Sequence, residues 1–527
     1  MFKSIFNKIF SNTYICISLI IIFSLILSLY HSINIDQRAL DEALIISNKI
    51  FYDDEFNVLN LGFNNSLTIT PQILKIFIEL DIGIKILNFF ILLVAISLNS
   101  FGIYFISKSL TKNNFFSIIL LTIILLLQIN FGNLDYPTIF IAEHTHSMLG
   151  SAIFVFVFGL IANQKINYAI IISIFSLSLH LTIGAWLCFI VFLSVILFNK
   201  KKFNFYFDSK KTIFLLILSF AIILCSFIFF QLNKIEIPFT YDENLYNIYL
   251  EVWEHHRASK IFDINYNYII FSFVLLSFLG LLKKENNNLN FFCNAVIIHL
   301  IISFSLYIIY KIFPNIFHGI FLRVIPSRFF LLHSIIGPVI IFSSIFFYYK
   351  KFFKSYNLII LFLVLSLIHP ALYYEKYFKR INSIVNKWKN IYLVDNSFWN
   401  KIKKEDTGNG VILTSVDACS DTIQKSQKPI LLCIESIDVI PYIPKLVVPI
   451  KEIITGVYKI DFFNPPLKNM GGIKYDKYYK NTFENRSLEE WYSISYKFNL
   501  SALILPKNWN INLEKKIVGE DFIYYKF

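Results

Sequence analysis

Residues 166–198 have the sequence INYAIIISIFSLSLHLTIGAWLCFIVFLSVILF, an apolar run that is too long for one membrane helix and too short for two full ones. Lys165 precedes the run, and three consecutive lysines follow it at 200–202. Because lysine collects in cytoplasmic loops, both flanks should lie on the same side of the membrane. A turn at 181–184, Leu-Thr-Ile-Gly, is therefore predicted to divide the run into two short helices. One long tilted helix is the alternative, and it would reverse the orientation of every later segment.

Similar apolar runs occur throughout residues 1–374. With about 17–20 apolar residues taken as enough to cross a bilayer, the sequence predicts about eleven spans, at 14–30, 86–106, 115–131, 147–162, 166–180, 183–198, 212–232, 266–282, 291–310, 329–348 and 357–374. The first run lacks a small-residue cleavage site and is interpreted as an uncleaved signal anchor. Lysine-rich short segments place the N-terminus inside, and an odd number of spans then places the C-terminus outside.

The composition favours a multi-pass protein of the cytoplasmic (inner) membrane. Of the 527 residues, 56% are hydrophobic and 16% are charged, where about 25% charged is usual in soluble domains. These values, with a mean hydropathy of +0.60, exclude a disordered chain and a single soluble domain. The net charge of +13 reflects abundant lysine in a chain with only six arginines, so it does not indicate nucleic-acid binding. The predicted partner is the lipid bilayer.

Two regions should extend outside the helix bundle. Residues 31–85 form a long first outer loop. Residues 375–527 have a soluble composition and should form a small extracytoplasmic α/β domain, with strands near 410–414, 429–433 and 502–505 and helices at 383–404 and 487–499. The predicted fold class is therefore a mostly α, polytopic transmembrane helix bundle, residues 1–374, followed by this domain.

Histidine is distributed asymmetrically along the chain. None of the ten histidines lies in the C-terminal domain, and only His299 falls at predicted mid-membrane depth. The others lie in predicted outer loops or at outer helix ends: His31, His144, His146, His180, His255, His256, His318, His333 and His369. Tolerance of histidine at the membrane interface explains some of them, but it predicts no asymmetry. We therefore predict a polar cavity that opens outward, since polar groups at membrane depth are costly unless they line one.

The first outer loop begins with a dense group of carboxylates. Asp36, Asp41 and Glu42 follow the first span closely, and Asp53 and Asp54 come soon after. Carboxylates near the membrane surface can act as a general base or hold a divalent cation. Solvated loop charge is the simpler explanation for any one of them. Asp36, Asp41 and Glu42 are the candidate catalytic residues, and a divalent cation is the cofactor that they would suit.

Further candidate binding residues lie in the second outer loop and at the hairpin tip. Glu143, His144 and His146 form a compact polar set before an apolar span. Their spacing matches no established zinc motif, so no metal site is assigned to them. His180 should face the cavity from the tip, where Gly184 would permit the tight turn.

Side chains of two later outer segments are candidates for binding a phosphate headgroup. They are His255, Arg257, Arg323 and Arg328. An arginine fork suits a phosphate because it binds two oxygens at once. Snorkelling of these arginines to lipid phosphate is the alternative.

Two cysteines, Cys419 and Cys433, lie fourteen residues apart in the C-terminal domain. They could form a disulfide on an oxidising side of the membrane. Two buried thiols are the alternative, and the sequence does not decide between them.

This layout resembles the GT-C-type integral membrane glycosyltransferases, which have many spans, a long first outer loop with an acidic residue and short broken spans midway. More narrowly, the chain is similar to an uncharacterised branch of bacterial multi-pass proteins with this layout in four stretches: 143–147 (EHTHS), His180 with Gly184, 323–328 (RVIPSR) and 458–466 (YKIDFFNPP). The Trp-Trp-Asp motif of the oligosaccharyltransferase branch is absent from the sequence.

The resemblance implies an enzyme that moves a sugar from a polyprenyl-phosphate donor to a saccharide or protein acceptor of the envelope, on the outer face of the membrane. The implied mechanism uses the arginines, or a bound cation, to stabilise the leaving phosphate. One of the three first-loop acids would deprotonate the acceptor hydroxyl. The histidines at 144, 146 and 180 would position the phosphate or sugar, and the C-terminal domain would present the acceptor.

Two other classes of protein fit parts of the sequence. A transporter of a lipid-linked saccharide would need polar residues on both sides of the membrane midplane, whereas the inner halves of the predicted spans are almost purely apolar. A non-catalytic envelope assembly protein would use its C-terminal domain to bind partners, and that domain's sequence is compatible with such a role.

Overall fold

A computed structural model describes residues 12–53, 57–66, 68–129, 140–198, 210–253, 266–313, 326–352, 397–405, 408, 410–433, 436–437, 439–467 and 475–527. Within these ranges the chain is mostly helical, with a small sheet near its C-terminus. The coarse fold prediction is therefore confirmed.

Long apolar helices make up the first two thirds of the chain. They are Thr13–Asn34, Ile84–Thr111, Asn114–Leu127, Thr145–Ala162, Ile166–Leu179, Leu181–Phe198, Lys210–Asn233, Tyr266–Glu285, Asn290–Ile312 and Pro326–Phe352. By length and composition, six helices of the described chain could cross a membrane: Thr13–Asn34, Ile84–Thr111, Thr145–Ala162, Leu181–Phe198, Ile213–Leu232 and Asn287–Ile309. Each predicted span except the last coincides with a helix. The last, 357–374, lies outside the described residues, so the total of eleven stays a prediction.

The apolar run at 166–198 folds as two helices that meet at His180. His180 has an extended backbone (φ −150°, ψ 97°), and this breaks the helical hydrogen-bond pattern. The division of the run is confirmed, but the predicted role of Gly184 is wrong. A Cβ on Gly184 would lie 2.5 Å from the backbone nitrogen of Leu177. This glycine therefore lets the second helix pack closely against the first and does not form the turn itself.

Glycine also allows a second close helix contact in the bundle. Helices Ile84–Thr111 and Thr145–Ala162 cross where a Cβ on Gly159 would lie 2.7 Å from Cα of Gly102. Small residues allow this approach, and membrane helices depend on such close packing because lipid tails provide no hydrophobic driving force between them.

We expect Gly159→Leu to destabilise the bundle by at least about 3 kcal/mol, because its side chain would overlap backbone that cannot move aside. Gly280→Leu is the matched control, since no atom lies within 4 Å of a Cβ at that position. Thermal unfolding of the two purified variants in the same detergent checks this prediction. Equal melting temperatures would show that the crossing is not tight.

Short helices connect the spans on the first-loop side. The first loop folds into Arg38–Ile46, Val58–Asn64 and Ile69–Glu79, and a later loop folds into Glu243–Ile248 with a π-helical turn at Tyr249–Trp253. Most of the helix Arg38–Ile46 is buried, including Asp41. The first loop is therefore a packed layer on the end of the bundle.

The C-terminal domain contains a four-stranded sheet in the order β1-β2-β4-β3. Its strands are β1 (Val411–Thr414), β2 (Leu500–Pro506), β3 (Lys515–Val518) and β4 (Phe522–Lys526). β1 pairs with β2 in parallel, whereas β4 pairs with β2 and β3 in antiparallel fashion. The predicted strands at 410–414 and 502–505 are confirmed. The one predicted at 429–433 is wrong, because that segment makes only a single bridge between Ile430 and Ile412.

Helices pack around this sheet. They are Ser397–Lys404, Cys419–Asp421, Val447–Gly456, Lys480–Glu484 and Leu488–Phe498. The domain also has a π-helical turn at Thr422–Ser426 and 3-10 turns at Val416–Ala418, Pro444–Leu446 and Asp476–Tyr478. A further 3-10 turn, Asn287–Leu289, lies in the bundle. The predicted helix at 487–499 is confirmed and begins with a capping box between Ser487 and Glu490. Of the predicted helix at 383–404, only 397–404 lies within the described residues.

A disulfide joins Cys419 to Cys433, which have Cα atoms 6.0 Å apart. We expect Cys419→Ser to lower the free energy of unfolding of the domain by about 3 kcal/mol, as predicted for a closed loop of roughly 15 residues. Cys225→Ser is the control, because Cys225 is a free and exposed thiol. Denaturant unfolding monitored by tryptophan fluorescence would test this, and an unchanged midpoint would contradict it.

Aromatic side chains fix the C-terminal domain to a loop of the bundle. The hydroxyl of Tyr249 donates to the carbonyl of Ile437 at 2.7 Å, and the indole of Trp253 donates to the carbonyl of Phe462 at 2.7 Å. Both aromatic residues are buried. The domain therefore lies on the same face of the bundle as the first loop, which it also contacts.

Candidate functional site

The candidate site lies where the ends of three candidate spans meet. Asp36 follows the helix Thr13–Asn34, Lys85 is in the first turn of Ile84–Thr111, and His144 directly precedes Thr145–Ala162. Asn88 joins the first two ends, since its amide donates to the carbonyl of Ile35 at 2.7 Å. The predicted site residues of the first and second outer loops are thus brought to one face of the bundle.

The segment 37–39 binds directly to the second outer loop. The Gln37 amide donates to the carbonyl of Ala142 at 2.7 Å, and the backbone N–H of Arg38 donates to the carbonyl of Glu143 at 3.1 Å. The backbone N–H of Ala39 donates to the hydroxyl of Thr145 at 3.1 Å. These bonds satisfy amide groups at the start of the first-loop helix and fix its position against the span.

Arg38 places a guanidinium group beside His144. Its Nη1 lies 3.1 Å from Nδ1 of His144 and its Nη2 lies 4.0 Å from the carboxylate of Glu143. Because arginine can only donate, Nδ1 of His144 must accept, and the proton of the neutral imidazole is therefore on Nε2. The pair thus combines a permanent positive charge with a neutral imidazole.

Glu42 and His146 form a second pair one helical turn away from Arg38. Oε1 of Glu42 accepts from Nε2 of His146 at 2.9 Å, and both side chains are mostly shielded from solvent. The Glu42 carboxylate is therefore committed to the imidazole, which suits a positioning role better than that of an accessible base.

We expect His146→Ala to destabilise the protein by about 2–3 kcal/mol, because it leaves the shielded carboxylate of Glu42 without its donor. His146→Gln is the conservative control, since an amide can still donate to that carboxylate. Thermal unfolding in detergent measures both effects. Equal losses of stability for the two variants would show that the hydrogen bond contributes nothing.

Asp41 contacts the C-terminal domain. Its Oδ2 accepts from the hydroxyl of Ser420 at 2.9 Å, and the residue is 1% exposed. The Gln424 amide lies 3.2 Å from the same hydroxyl and donates to the carbonyl of Gln37 at 3.3 Å. Asp41 therefore holds the domain on the first-loop helix.

Asp36, like Glu42, is partly exposed, but it has neither the histidine partner of Glu42 nor the serine partner of Asp41. Burial raises the pKa of Asp36 above its ordinary value, and the negative charges of Asp421 and Glu143 raise it further. The positive charges of Lys425 and Lys85 act in the opposite direction. A carboxylate with a raised pKa is a stronger base than an ordinary aspartate.

His180 lies against the helix Thr145–Ala162, one turn beyond His146. A Cβ on Gly150 would lie 3.2 Å from Cβ of His180. Gly150 and His146 are four residues apart and share a face of the helix. The hairpin tip is therefore adjacent to the second outer loop, as the sequence predicts.

The remaining predicted binding residues are not placed in this site. His255, Arg257 and Arg323 lie outside the described residues. Arg328 is in the first turn of the helix Pro326–Phe352. Their predicted role in phosphate binding stays a prediction.

One histidine predicted at an outer helix end is buried inside the bundle. His333 is fully buried, and its ring centroid lies 6.0 Å from that of His299. Trp186 donates to Nδ1 of His299 at 3.0 Å, and Ser272 lies 3.0 Å from Nε2 of His333. Both imidazoles thus have polar partners inside the bundle, and the prediction that His333 lies in an outer polar cavity is wrong.

A divalent cation does not fit the described part of this site. Within those residues, no group of three His, Cys, Asp or Glu side chains is arranged to hold a metal ion. The arginine beside His144 and the carboxylate bound to His146 orient the two imidazoles toward different partners. No step of the chemistry below is therefore assigned to a cation.

Sequence reasoning missed the residues that join the site together. Arg38 was the most important omission, and Gln37, Ser420 and Gln424 were not candidates either. Arg38 could have been found, because arginine is rare in this chain and this one lies between two candidate acids. Ser420 and Gln424 carry no local signal, since they lie more than 370 residues from their partners.

No protein-family model matches the chain, and no curated protein matches it significantly.

Proposed function

We propose that the protein is a membrane glycosyltransferase that moves a sugar from a polyprenyl-phosphate donor to an envelope acceptor on the outer face of the cytoplasmic membrane. The observation that carries the proposal is the convergence of Asp36 and Arg38, which follow one candidate span, with His144, which precedes another. The phosphate group of a membrane lipid would lie at the same depth as these span ends. The resemblance in layout to GT-C-type enzymes points to the same chemistry.

The cationic side of the site suits the leaving group. When the bond between the anomeric carbon and the phosphate oxygen breaks, the polyprenyl phosphate takes the bonding electrons and gains negative charge. Arg38 supplies a permanent charge, and Nε2–H of His144 supplies a second donor beside it. Donors fixed in advance stabilise such developing charge without reorganising during the reaction.

The acidic side of the site suits activation of the acceptor. The acceptor hydroxyl oxygen forms the new bond to the anomeric carbon, and its proton passes to the carboxylate of Asp36. Partial exposure leaves this carboxylate accessible, and its raised pKa favours proton uptake. The other two candidate acids have structural partners, Ser420 for Asp41 and His146 for Glu42.

The disulfide supports the proposed orientation. Disulfides persist in oxidising compartments and are rare in the cytosol, and Cys419 is next to the Ser420 that contacts Asp41. A bridge at this position favours an extracytoplasmic face for both the first loop and the C-terminal domain.

The test is sugar transfer by the purified full-length protein in lipid nanodiscs. The donor is a radiolabelled polyprenyl-phosphate hexose, and the acceptor is an envelope saccharide fraction from cells that lack the gene. We expect label to appear in the acceptor fraction, with release of unlabelled polyprenyl phosphate. Movement of intact donor across a liposome membrane without transfer would instead support a transporter and would overturn the proposal.

A further inference from the structure

The C-terminal domain has an open cleft beside β3 and the end of β4. Its volume is about 590 Å³, and it is lined by Leu488, Tyr492, Asn512, Glu514, Lys516 and Lys526, among others. This volume is within the range of about 300–1,000 Å³ that is typical of ligand sites.

The position of the cleft follows from the strand order. β1 leads to Ser420 and the Asp41 contact, whereas the cleft borders β3 and the end of β4. β1 and β3 are the outer strands of the sheet. Three strand spacings separate them, which is about 14 Å. Lys526, which lines the cleft, pairs with Ala502 of β2. The cleft is therefore at the end of the sheet where β1 begins, whereas Ser420 follows the end of β1.

The lining combines an exposed aromatic ring with hydrogen-bonding groups. Tyr492 is 52% exposed, and its ring centroid lies 6.0 Å from that of Phe527, which supports one edge of the tyrosine. Asn512, Glu514 and Lys516 are exposed around it. An aromatic ring with one apolar face and a polar tip suits a ligand that has both kinds of surface.

We propose that this cleft binds an oligosaccharide, the growing or accepting saccharide chain of the transfer reaction. The proposal rests on the proposed function for its biological meaning, but the binding itself needs no donor. The C–H face of a pyranose ring would stack on Tyr492. The amide of Asn512, the carboxylate of Glu514 and the ammonium of Lys516 would bind sugar hydroxyls.

A protein partner fits this surface less well. The core of a protein interface is depleted of charged residues, whereas Glu514, Lys516 and Lys526 all line the cleft. Lys526 also approaches Glu405 at 3.8 Å, which reduces its net charge in the cleft. Mixed charge around the two aromatic rings of Tyr492 and Phe527 matches a polyhydroxylated ligand, whose many hydroxyls accept and donate.

The experiment measures binding of hexasaccharides to the full-length protein in nanodiscs without any donor lipid. The probes are maltohexaose, chitohexaose and hexagalacturonate, tested by isothermal titration calorimetry. We expect at least one to bind, with Tyr492→Ala weakening the affinity about tenfold, equivalent to about 1.4 kcal/mol. Tyr492→Phe should retain the affinity, because the ring face is unchanged.

Tyr496→Ala is the matched control. Tyr496 lies one turn further along the same helix and is 93% exposed, but it does not line the cleft. Equal weakening by both alanine variants, or no binding of any hexasaccharide at millimolar concentration, would overturn the proposal. Sugar transfer to a short acceptor is measured separately, so loss of cleft binding with intact transfer would reject the cleft and not the enzyme.

Discussion

Replacement of Asp36 by asparagine should reduce sugar transfer by about 10²–10⁴-fold, which is the usual contribution of a general base. Asparagine has the shape of aspartate but cannot accept the acceptor's proton. The substitution removes a carboxylate whose ionised form is already disfavoured by burial, so it should not unfold the protein. The measurement is the initial rate of label transfer at saturating donor and acceptor.

Asp81→Asn is the matched control in the same loop. Asp81 has a side chain that is 84% exposed and pairs with Lys49 at 2.8 Å, far from the candidate acids in the sequence. Its replacement should leave the rate unchanged. If both variants transfer sugar at the wild-type rate, Asp36 is not the base and the proposed mechanism fails.

The pH dependence of the same assay follows from the pKa of Asp36. The carboxylate must be ionised to accept a proton, so activity should fall as the pH drops through its folded pKa. Because burial and two neighbouring carboxylates raise this pKa, the fall should occur above the pH of about 3.9 at which an ordinary aspartate titrates. The acidic limb should disappear from the residual activity of Asp36→Asn.

Replacement of Arg38 by alanine should weaken donor use by about 30–150-fold, equivalent to the 2–3 kcal/mol of a strong charge-assisted hydrogen bond. The guanidinium is the described cation closest to His144, and its loss removes the permanent charge that would face the phosphate. The backbone N–H of Arg38 still donates to the carbonyl of Glu143 in the variant, so the first-loop helix should keep its position.

Arg38→Lys separates charge from geometry. Lysine keeps the positive charge but lacks the fork that binds two oxygens, so it should recover only part of the donor affinity. Lys49→Ala is the control for loss of a first-loop cation, because Lys49 pairs with the exposed Asp81. Donor titrations yield kcat/KM for each variant, and equal values for Arg38→Ala and Lys49→Ala would reject phosphate binding by Arg38.

Much of the architecture could be predicted because it depends on neighbouring residues. The apolar run at 166–198 predicted two helices, and the Ser487–Glu490 capping box marks the start of a helix that was also predicted. The strand prediction at 429–433 is wrong because a short apolar run can be buried without forming a strand. Ile430 is in the core through one bridge to Ile412 and not through a strand.

The candidate site could be predicted only in part. Acids in the first loop and histidines in the second are visible as types, and the structure places both at one face of the bundle. Their pairing was not visible, since Glu42 and His146 are 104 residues apart and Asp41 and Ser420 are 379 apart. Which acid stays accessible to a substrate depends on these partners.

Local sequence patterns are enough to specify a bundle of apolar helices with a small C-terminal sheet, because hydrophobic length and capping depend on adjacent residues. The contacts of Arg38 with His144, of His146 with Glu42 and of the C-terminal domain with Asp41 depend instead on how the helices pack. The physical reason is that hydrogen bonds between distant segments form only after the helices pack, and helix packing depends on contacts that no local pattern records.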